Sequence, residues 1–197
     1  MNIDIIRSFV EQKLRNEATG HDILHAERVC SNAMSLVFES VDTDVVQAAA
    51  LVHDLIDDKL DDQHRADWTA IRAVLTEAGL HSHQVTSVRD IIHNMSFRTG
   101  KTPTSWEGKI VQDADRLDAL GAIGIARVFS FGGRNERMIY DPDSLNGSDS
   151  ISHFHQKLLR LADTMNTKLA TDEAKRRTRF MMDYLAEFNR ELATGEV

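Results

Sequence analysis

Apolar residues recur every three or four positions along most of this chain, the spacing that gathers them on one face of an α-helix. Ile3, Ile6, Val10 and Leu14 predict a first helix, and Ile23, Ala26, Val29, Ala33 and Val37 a second that runs to about Glu39. Asp42-Thr43 offers a cap for a third, with Val45, Ala49 and Val52 on one face. Trp68, Ile71, Val74, Leu75 and Ala78 predict a fourth, stopped by Gly79, and Val85, Val88 and Ile92 a fifth. From Trp106 to about Phe131 the pattern reads as one long helix ended by Gly132-Gly133, and two more helices, near 149–164 and 172–193, close the chain. No segment alternates with the period of two that a half-buried strand needs. The expected fold is all-α, a helical bundle forming a single domain over 1–197, with its core at about 21–130 and the C-terminal helices 149–193 packing on it.

The polar interruptions carry as much information as the helices. Residues 56–66, IDDKLDDQHRA, read as a polar loop, and a second loop of about 16 residues follows Gly132-Gly133 and runs to Ser148. Both exceed the usual connection between packed helices of about 2–8 residues. Long ordered loops in a compact domain often carry function.

Composition narrows the classes. At 197 residues with 42% hydrophobic content, the chain can bury a sizeable core and suits a soluble globular protein. A net charge of -8 argues against a general binder of DNA or RNA, which needs a basic face. It leaves a single nucleotide open as a ligand, because a metal and a few local cations can invert the field inside one cleft. One cysteine, Cys30, excludes an internal disulfide and fits a reducing compartment. No stretch reaches the roughly 20 apolar residues of a membrane span. MNIDIIRSFVEQKL reads as an amphipathic helix, not a signal peptide, and the expected location is the cytoplasm. The basic run Lys175, Arg176, Arg177 and Arg179 reads as a solvated or acid-paired helix face, and the helical surface is compatible with a homodimer.

The chemistry begins at His53-Asp54, set in the apolar run AAALVHDLIDD. A carboxylate buried without a partner costs several kcal/mol, and a divalent cation removes that cost by taking both side chains as ligands. His25, in GHDILHAERV, and Asp115, in VQDADRLDALGA, fit the same site, giving H…HD…D with spacings of 28 and 61 residues. Alone, His25 reads as a satisfied core histidine and Asp115 as a salt-bridged acid. Together with His53 and Asp54 they make a mixed nitrogen and oxygen set that suits Mn²⁺, Fe²⁺, Co²⁺, Ni²⁺ or Mg²⁺ better than a closed zinc site.

These residues with their flanks resemble the HD superfamily of metal-dependent phosphohydrolases. The resemblance spans about His21 to Asn166 and extends to GKIVQDADRLDALGAIGIAR, FGG, IYDP, SHFHQKLL and MNT. These segments are similar to a bacterial subgroup of small stand-alone HD proteins that includes nucleotide pyrophosphohydrolases. The resemblance implies Mn²⁺ as the preferred ion. It also implies hydrolysis of a nucleotide or related small phosphorylated metabolite by attack of a metal-bound water, in its sharper form a (d)NTP giving monophosphate and pyrophosphate. No nucleic-acid polymer or membrane is expected as a partner.

Other residues acquire expected roles. Asp57 lies four residues after His53, and the resemblance to HD relatives with an acid at this offset implies that Asp57 or Asp58 orients or deprotonates the attacking water; a solvated acidic loop is the plainer reading. Lys59 either contacts a phosphate or faces solvent. Arg28, one turn after His25, either pairs with Asp115 or holds a phosphate. Asp118, three residues after Asp115, is expected at the sugar or base end of the pocket by resemblance; otherwise it is a surface acid. His153 and Lys157 share a helix face and match a subgroup motif that suggests contact with distal phosphates. Arg134 and Arg137 sit in a loop that could fold over the cleft. Among the remaining histidines, His93 matches a position of the subgroup, which implies a place behind the metal ligands or against the substrate, and His81 and His83 are expected to be exposed. Entry of His81 and His93 into the site would instead signal a dinuclear centre, as in a di-iron oxygenase of the same scaffold. A third reading is a sensing module whose HD site only binds metal or nucleotide.

Overall fold

The computed structural model describes residues 1–15, 17, 22–56, 64–95, 102–143 and 147–193. Among these the regular structure is entirely helical, as the periodicity predicts. The chain divides into two compact units, Met1–Asp115 and Arg116–Val197.

The first unit holds α1 (Ile3–Lys13), α2 (Ile23–Leu36), α3 (Thr43–Val52), α4 (Trp68–Glu77), α5 (Ser82–Asn94) and most of α6 (Trp106–Asp118). Short polar side chains start these helices by accepting otherwise unsatisfied first-turn amides. Asp22 accepts from His25 N–H at 2.7 Å, Asp42 from Val45 N–H at 3.1 Å, Asp67 from Ala70 N–H at 2.8 Å and Ser105 Oγ from Gly108 N–H at 3.1 Å. The centre of the unit is α3, where Val45, Val46 and the whole run Ala48 to Val52 are buried. Three consecutive buried alanines leave room for neighbours to approach on every side: α3 packs on α1, α2 and α5.

Polar ties fix where α3 begins. Asp42 Oδ2 also accepts from Gln84 Nε2 of α5 at 2.9 Å, and the Asp42 N–H donates to Glu107 of α6 at 3.2 Å. Asn32 of α2 reaches the Ala114 carbonyl at 3.5 Å, and buried Gln112 donates to the Met95 carbonyl at the end of α5 at 3.2 Å. These bonds set the axial position of α6 against α2, α3 and α5, and with it the height of Asp115.

The second unit contains α7 (Gly121–Arg134), α8 (Ser150–Gln156), a 3-10 segment (Leu158–Thr164) and α9 (Lys168–Ala193). Here the structure departs from the periodicity. The helix expected from Trp106 to Phe131 is two helices. The N–H groups of Ala119 and Leu120 bond three residues back, to the Arg116 and Leu117 carbonyls, a tightening that ends α6. Gly121 then adopts φ +73, the left-handed region that L side chains avoid. A Cβ on Gly124 would lie 2.2 Å from the Ala119 carbonyl oxygen, so the break also depends on that glycine. The apolar spacing continues across the break, which hides it from a periodicity argument. The predicted helix at 149–164 is likewise α8 followed by the 3-10 segment, and α9 starts at Lys168 rather than 172, with Thr167 Oγ1 accepting from Ala170 N–H at 3.3 Å. The basic run on α9 is partly acid-paired: Arg176 and Arg177 each reach Glu173 at 2.7 Å, and these contacts hold the Glu173 carboxyl down to about 2. Arg177 also donates to the Leu117 carbonyl at 2.8 Å, satisfying a carbonyl at the end of α6.

Candidate metal centre

Three helices of the first unit supply the candidate ligands. His25 stands in the first turn of α2, whose register is set by the Asp22 cap, and its side chain is buried. His53 is the residue at which α3 stops, and Asp54 follows in the turn 53–56. The His53 ring folds back so that Nδ1 lies 2.8 Å from the Ala50 carbonyl, one of the last-turn acceptors an ending helix leaves open. With a proton on Nδ1 donated to that carbonyl, Nε2 is the nitrogen that can ligate. Asp115 stands on α6, half-exposed.

The functional atoms converge. His25 Nε2 lies 3.2 Å from Asp54 Oδ2 and 3.6 Å from Asp115 Oδ1. His53 Nε2 lies 3.3 Å from Asp54 Oδ1 and 3.8 Å from the same Asp115 oxygen. The two imidazoles meet edge to face, with ring centres 5.2 Å apart. One ligand atom each from His25, His53 and Asp54 can be chosen within 4.8 Å of one another. Nitrogen and oxygen ligands on adjacent corners of an octahedron, with bonds of about 2.0–2.2 Å, stand roughly 3 Å apart. The observed separations are close to that edge length, and the donor set suits a divalent cation of intermediate hardness. His25, His53 and Asp54 could therefore hold a metal ion, with Asp115 beside them.

Electrostatics gives the same answer from another direction. Burial disfavours a charged His53, yet the charge and hydrogen bonding of Asp54, the charge of Asp115 and the Ala50 carbonyl outweigh it and raise the imidazole from 6.5 to about 9. The carboxylates thus draw positive charge to the point where the two Nε2 atoms meet. In the absence of a cation a proton answers that field.

The other sequence-predicted residues are distributed as follows. Asp57, Asp58 and Lys59 lie outside the described residues. Arg28 is half-buried, one turn along α2 from His25. His93 is exposed on the last turn of α5, its ring against Trp68 with centroids 6.4 Å apart. His81 and His83 are exposed as expected and stack on each other at the start of α5. Among the described residues, neither they nor His93 belong to the cluster of candidate ligands.

Asp118, in the second unit, is not a surface acid: it is 1% exposed and paired with Arg127 of α7 at 2.6 Å. His153 and Lys157 stand four residues apart at the end of α8. Burial, then the charges of Lys157 and Arg137, push the His153 imidazole below its ordinary value, so it favours its neutral form beside two cations. Arg137 also lies over the Phe131 ring, 5.8 Å from its centroid.

Sequence reasoning missed the Ala50 carbonyl, which orients His53, and the Arg127 partner of Asp118. The first was detectable in principle, since a histidine at a helix C-terminus has unsatisfied carbonyls within reach. The second, nine residues away across a helix break, left no local signal.

Comparison with known proteins agrees with this geometry. Residues 14–120 match the family model of the HD domain. The Bacillus subtilis protein YpgQ is 41% identical over 192 residues, covering 95% of this chain and 92% of YpgQ. The crystal structure of YpgQ in complex with ADP superposes with a TM-score of 0.85 over 96% of this chain and 94% of that one. An HD-superfamily hydrolase from Bacillus thuringiensis is 40% identical, with a TM-score of 0.79 and coverage of 97% and 96%. With the family model covering more than half of the sequence and a 41% identical relative covering nearly all of it, the chain belongs to the HD domain family.

Proposed function

We propose that this protein is a divalent-metal-dependent phosphohydrolase acting on a nucleotide or a related small phosphorylated metabolite. In its sharper form it cleaves a (d)NTP to the monophosphate and pyrophosphate. The observation that carries the reading is the cluster of His25, His53 and Asp54, with each histidine Nε2 lying 3.2–3.8 Å from carboxylate oxygens of Asp54 and Asp115. That a 41% identical relative has been crystallised with ADP supports a nucleotide as the substrate class.

His25, His53, Asp54 and Asp115 would hold a divalent cation, which would supply Lewis acidity toward a phosphoryl oxygen and lower the pKa of a water. The Ala50 carbonyl holds His53 in the tautomer that presents Nε2. Asp57 or Asp58 orients the attacking water and accepts its proton. Arg28 and Lys59 neutralise charge on the reacting phosphate, and His93 contacts the remainder of the substrate. Lys157 and Arg137 offer positive potential suited to distal phosphates, and the neutral imidazole of His153 beside them can donate a hydrogen bond to a phosphate oxygen.

The test is release of phosphate or pyrophosphate from a nucleotide panel with Mn²⁺, Mg²⁺, Co²⁺ or EDTA, with metal analysis of the purified protein alongside. Metal-dependent pyrophosphate release from one nucleotide class is expected. Absence of turnover with every metal overturns the reading, as does full activity in Asp54→Ala. Asp57→Ala is expected to lower turnover and leave metal content unchanged; undiminished turnover moves the proton transfer to Asp58.

A further inference from the structure

A second feature of the first unit lies outside the candidate metal cluster and shares no residue with it. Between α4 and α5 the surface opens into a cleft of about 280 Å³ whose walls include Trp68, Arg72, Thr76, Ser82, Thr86 and Arg89. The spacing explains the convergence: 68, 72 and 76 succeed one another at i, i+4 on α4, and 82, 86 and 89 share a face of α5. The two packed helices thus line the same cleft from both sides.

The walls have an uneven chemistry. They contain two guanidinium groups, three hydroxyls and an indole, and no acid. In a protein with net charge -8, arginines usually find carboxylates, as Arg7, Arg127, Arg176 and Arg190 do. Among the described residues neither Arg72 nor Arg89 makes a salt bridge, although Glu77 and Asp90 stand on the same helices. Arg89 is nevertheless held in place, its guanidinium carbon 5.8 Å from the centroid of the Trp68 ring. A cation stacked on an aromatic face has already given up part of its rotamer freedom, so less is lost when it meets an anion. Two like charges brought to one cleft repel unless an anion lies between them, and guanidinium groups match phosphate oxygens in a planar, two-pronged fashion.

We infer that the α4–α5 cleft is a second binding site, independent of the metal cluster, for a small phosphate-bearing anion. Arg72 and Arg89 supply the charge and N–H donors, the Ser82 hydroxyl supplies a further donor, and Trp68 forms one wall, while Thr76 and Thr86 line the cleft with their hydroxyls donated to the Arg72 and Ser82 carbonyls at 2.9 and 3.0 Å. The cleft volume suits a phosphomonoester or pyrophosphate. The proposal does not depend on the hydrolytic reading, since it concerns binding without metal.

Trp68 and Trp106 are the only tryptophans, so ¹⁵N-labelled protein gives one indole signal at the cleft and one elsewhere. The titrants are pyrophosphate, glycerol phosphate and orthophosphate, with sulfate as a control, in EDTA and near-physiological salt. A saturable shift of the Trp68 indole is expected, with Trp106 unmoved. Affinity should fall at least tenfold in Arg72→Gln/Arg89→Gln and be unchanged in Asp54→Asn. The pyrophosphate and glycerol phosphate arms separate a free inorganic anion from a phosphorylated metabolite. No saturable shift, a shift that survives the double arginine variant, or one lost in Asp54→Asn overturns the proposal. So does an equal response to sulfate, which reports an adventitious ion only.

Discussion

Asparagine at position 54 keeps the shape of the side chain and removes its charge, which makes Asp54→Asn a sharp probe of the metal-free cluster. In the folded protein the His53 imidazole holds its proton to about pH 9, chiefly because of the Asp54 carboxylate. In an unfolded chain a histidine releases it near 6.5. The folded state therefore binds this proton more tightly. The resulting stability is fully present below about pH 6.5 and is lost as the pH rises through about 9. At ~1.4 kcal/mol per tenfold change in proton affinity, the effect is on the order of 3 kcal/mol. For a chain of this size that corresponds to roughly 6–12 °C in Tm. The assay is thermal unfolding by circular dichroism in EDTA from about pH 6 to 9.5, for the wild type and Asp54→Asn side by side, so that groups titrating elsewhere cancel in the comparison. The wild type should lose most of that Tm interval across the range. In the variant, burial of His53 dominates, the imidazole is neutral and less than half of the slope should remain; near the alkaline end the variant should be the more stable protein, having one less buried negative charge. Equal slopes in the two proteins would refute the account of how Asp54 and His53 interact.

Other outcomes follow from the same geometry. Mn²⁺ must displace the His53 proton, so its apparent affinity should rise by about tenfold per pH unit up to roughly pH 9; calorimetric titration that gives a pH-independent affinity refutes the displacement. His25→Ala and Asp115→Asn should each abolish the rise in Tm that saturating Mn²⁺ produces in the wild type, and a Tm rise of wild-type size in either removes that residue from the cluster. Arg127→Ala leaves the Asp118 carboxylate buried without its cation and should cost about 3 kcal/mol in urea unfolding, partly recovered in Asp118→Asn/Arg127→Ala; no recovery would mean that Arg127 acts by packing instead. Ala49→Leu overfills the centre of α3 and should destabilise the protein by about 1–3 kcal/mol, while a ΔΔG near zero would show that α3 has space the structure does not indicate.

Much of this was readable from residue order alone, and the limits have physical causes. The all-α class followed from apolar spacing because α1, α2, α4 and α5 each bury one clear stripe, and the Asp42 cap of α3 is a local signal. His25, His53, Asp54 and Asp115 were legible because charged groups in apolar runs are costly unless something holds them. The end of α6 was not, since Leu117, Leu120, Gly121 and Gly124 keep the apolar rhythm while Gly121 reverses the sign of φ. For Asp118 the sequence offered a pocket position by resemblance or a surface acid, and not a buried ion pair, because its partner, Arg127, becomes its neighbour only through the turn at Ala119–Gly121. The α4–α5 cleft was equally hidden: nothing in the order of residues says that Arg72 and Arg89 line one cavity or that, among the described residues, neither meets an acid.

The candidate ligands come from helices that follow one another at separations of 28 and 61 residues, and this bears on time as well as affinity. No short stretch of the chain holds more than the adjacent pair His53 and Asp54, so an ion cannot be gripped by a fragment and should join only after α2, α3 and α6 have docked. The converse applies to release. An ion so held escapes when one of those helices swings away or the turn after Val52 loosens. Its dissociation rate under excess chelator, once independent of chelator concentration, then becomes a clock for partial opening of the native protein. Compared with amide exchange along α2, α3 and α6, that clock would identify the helix that lets go first.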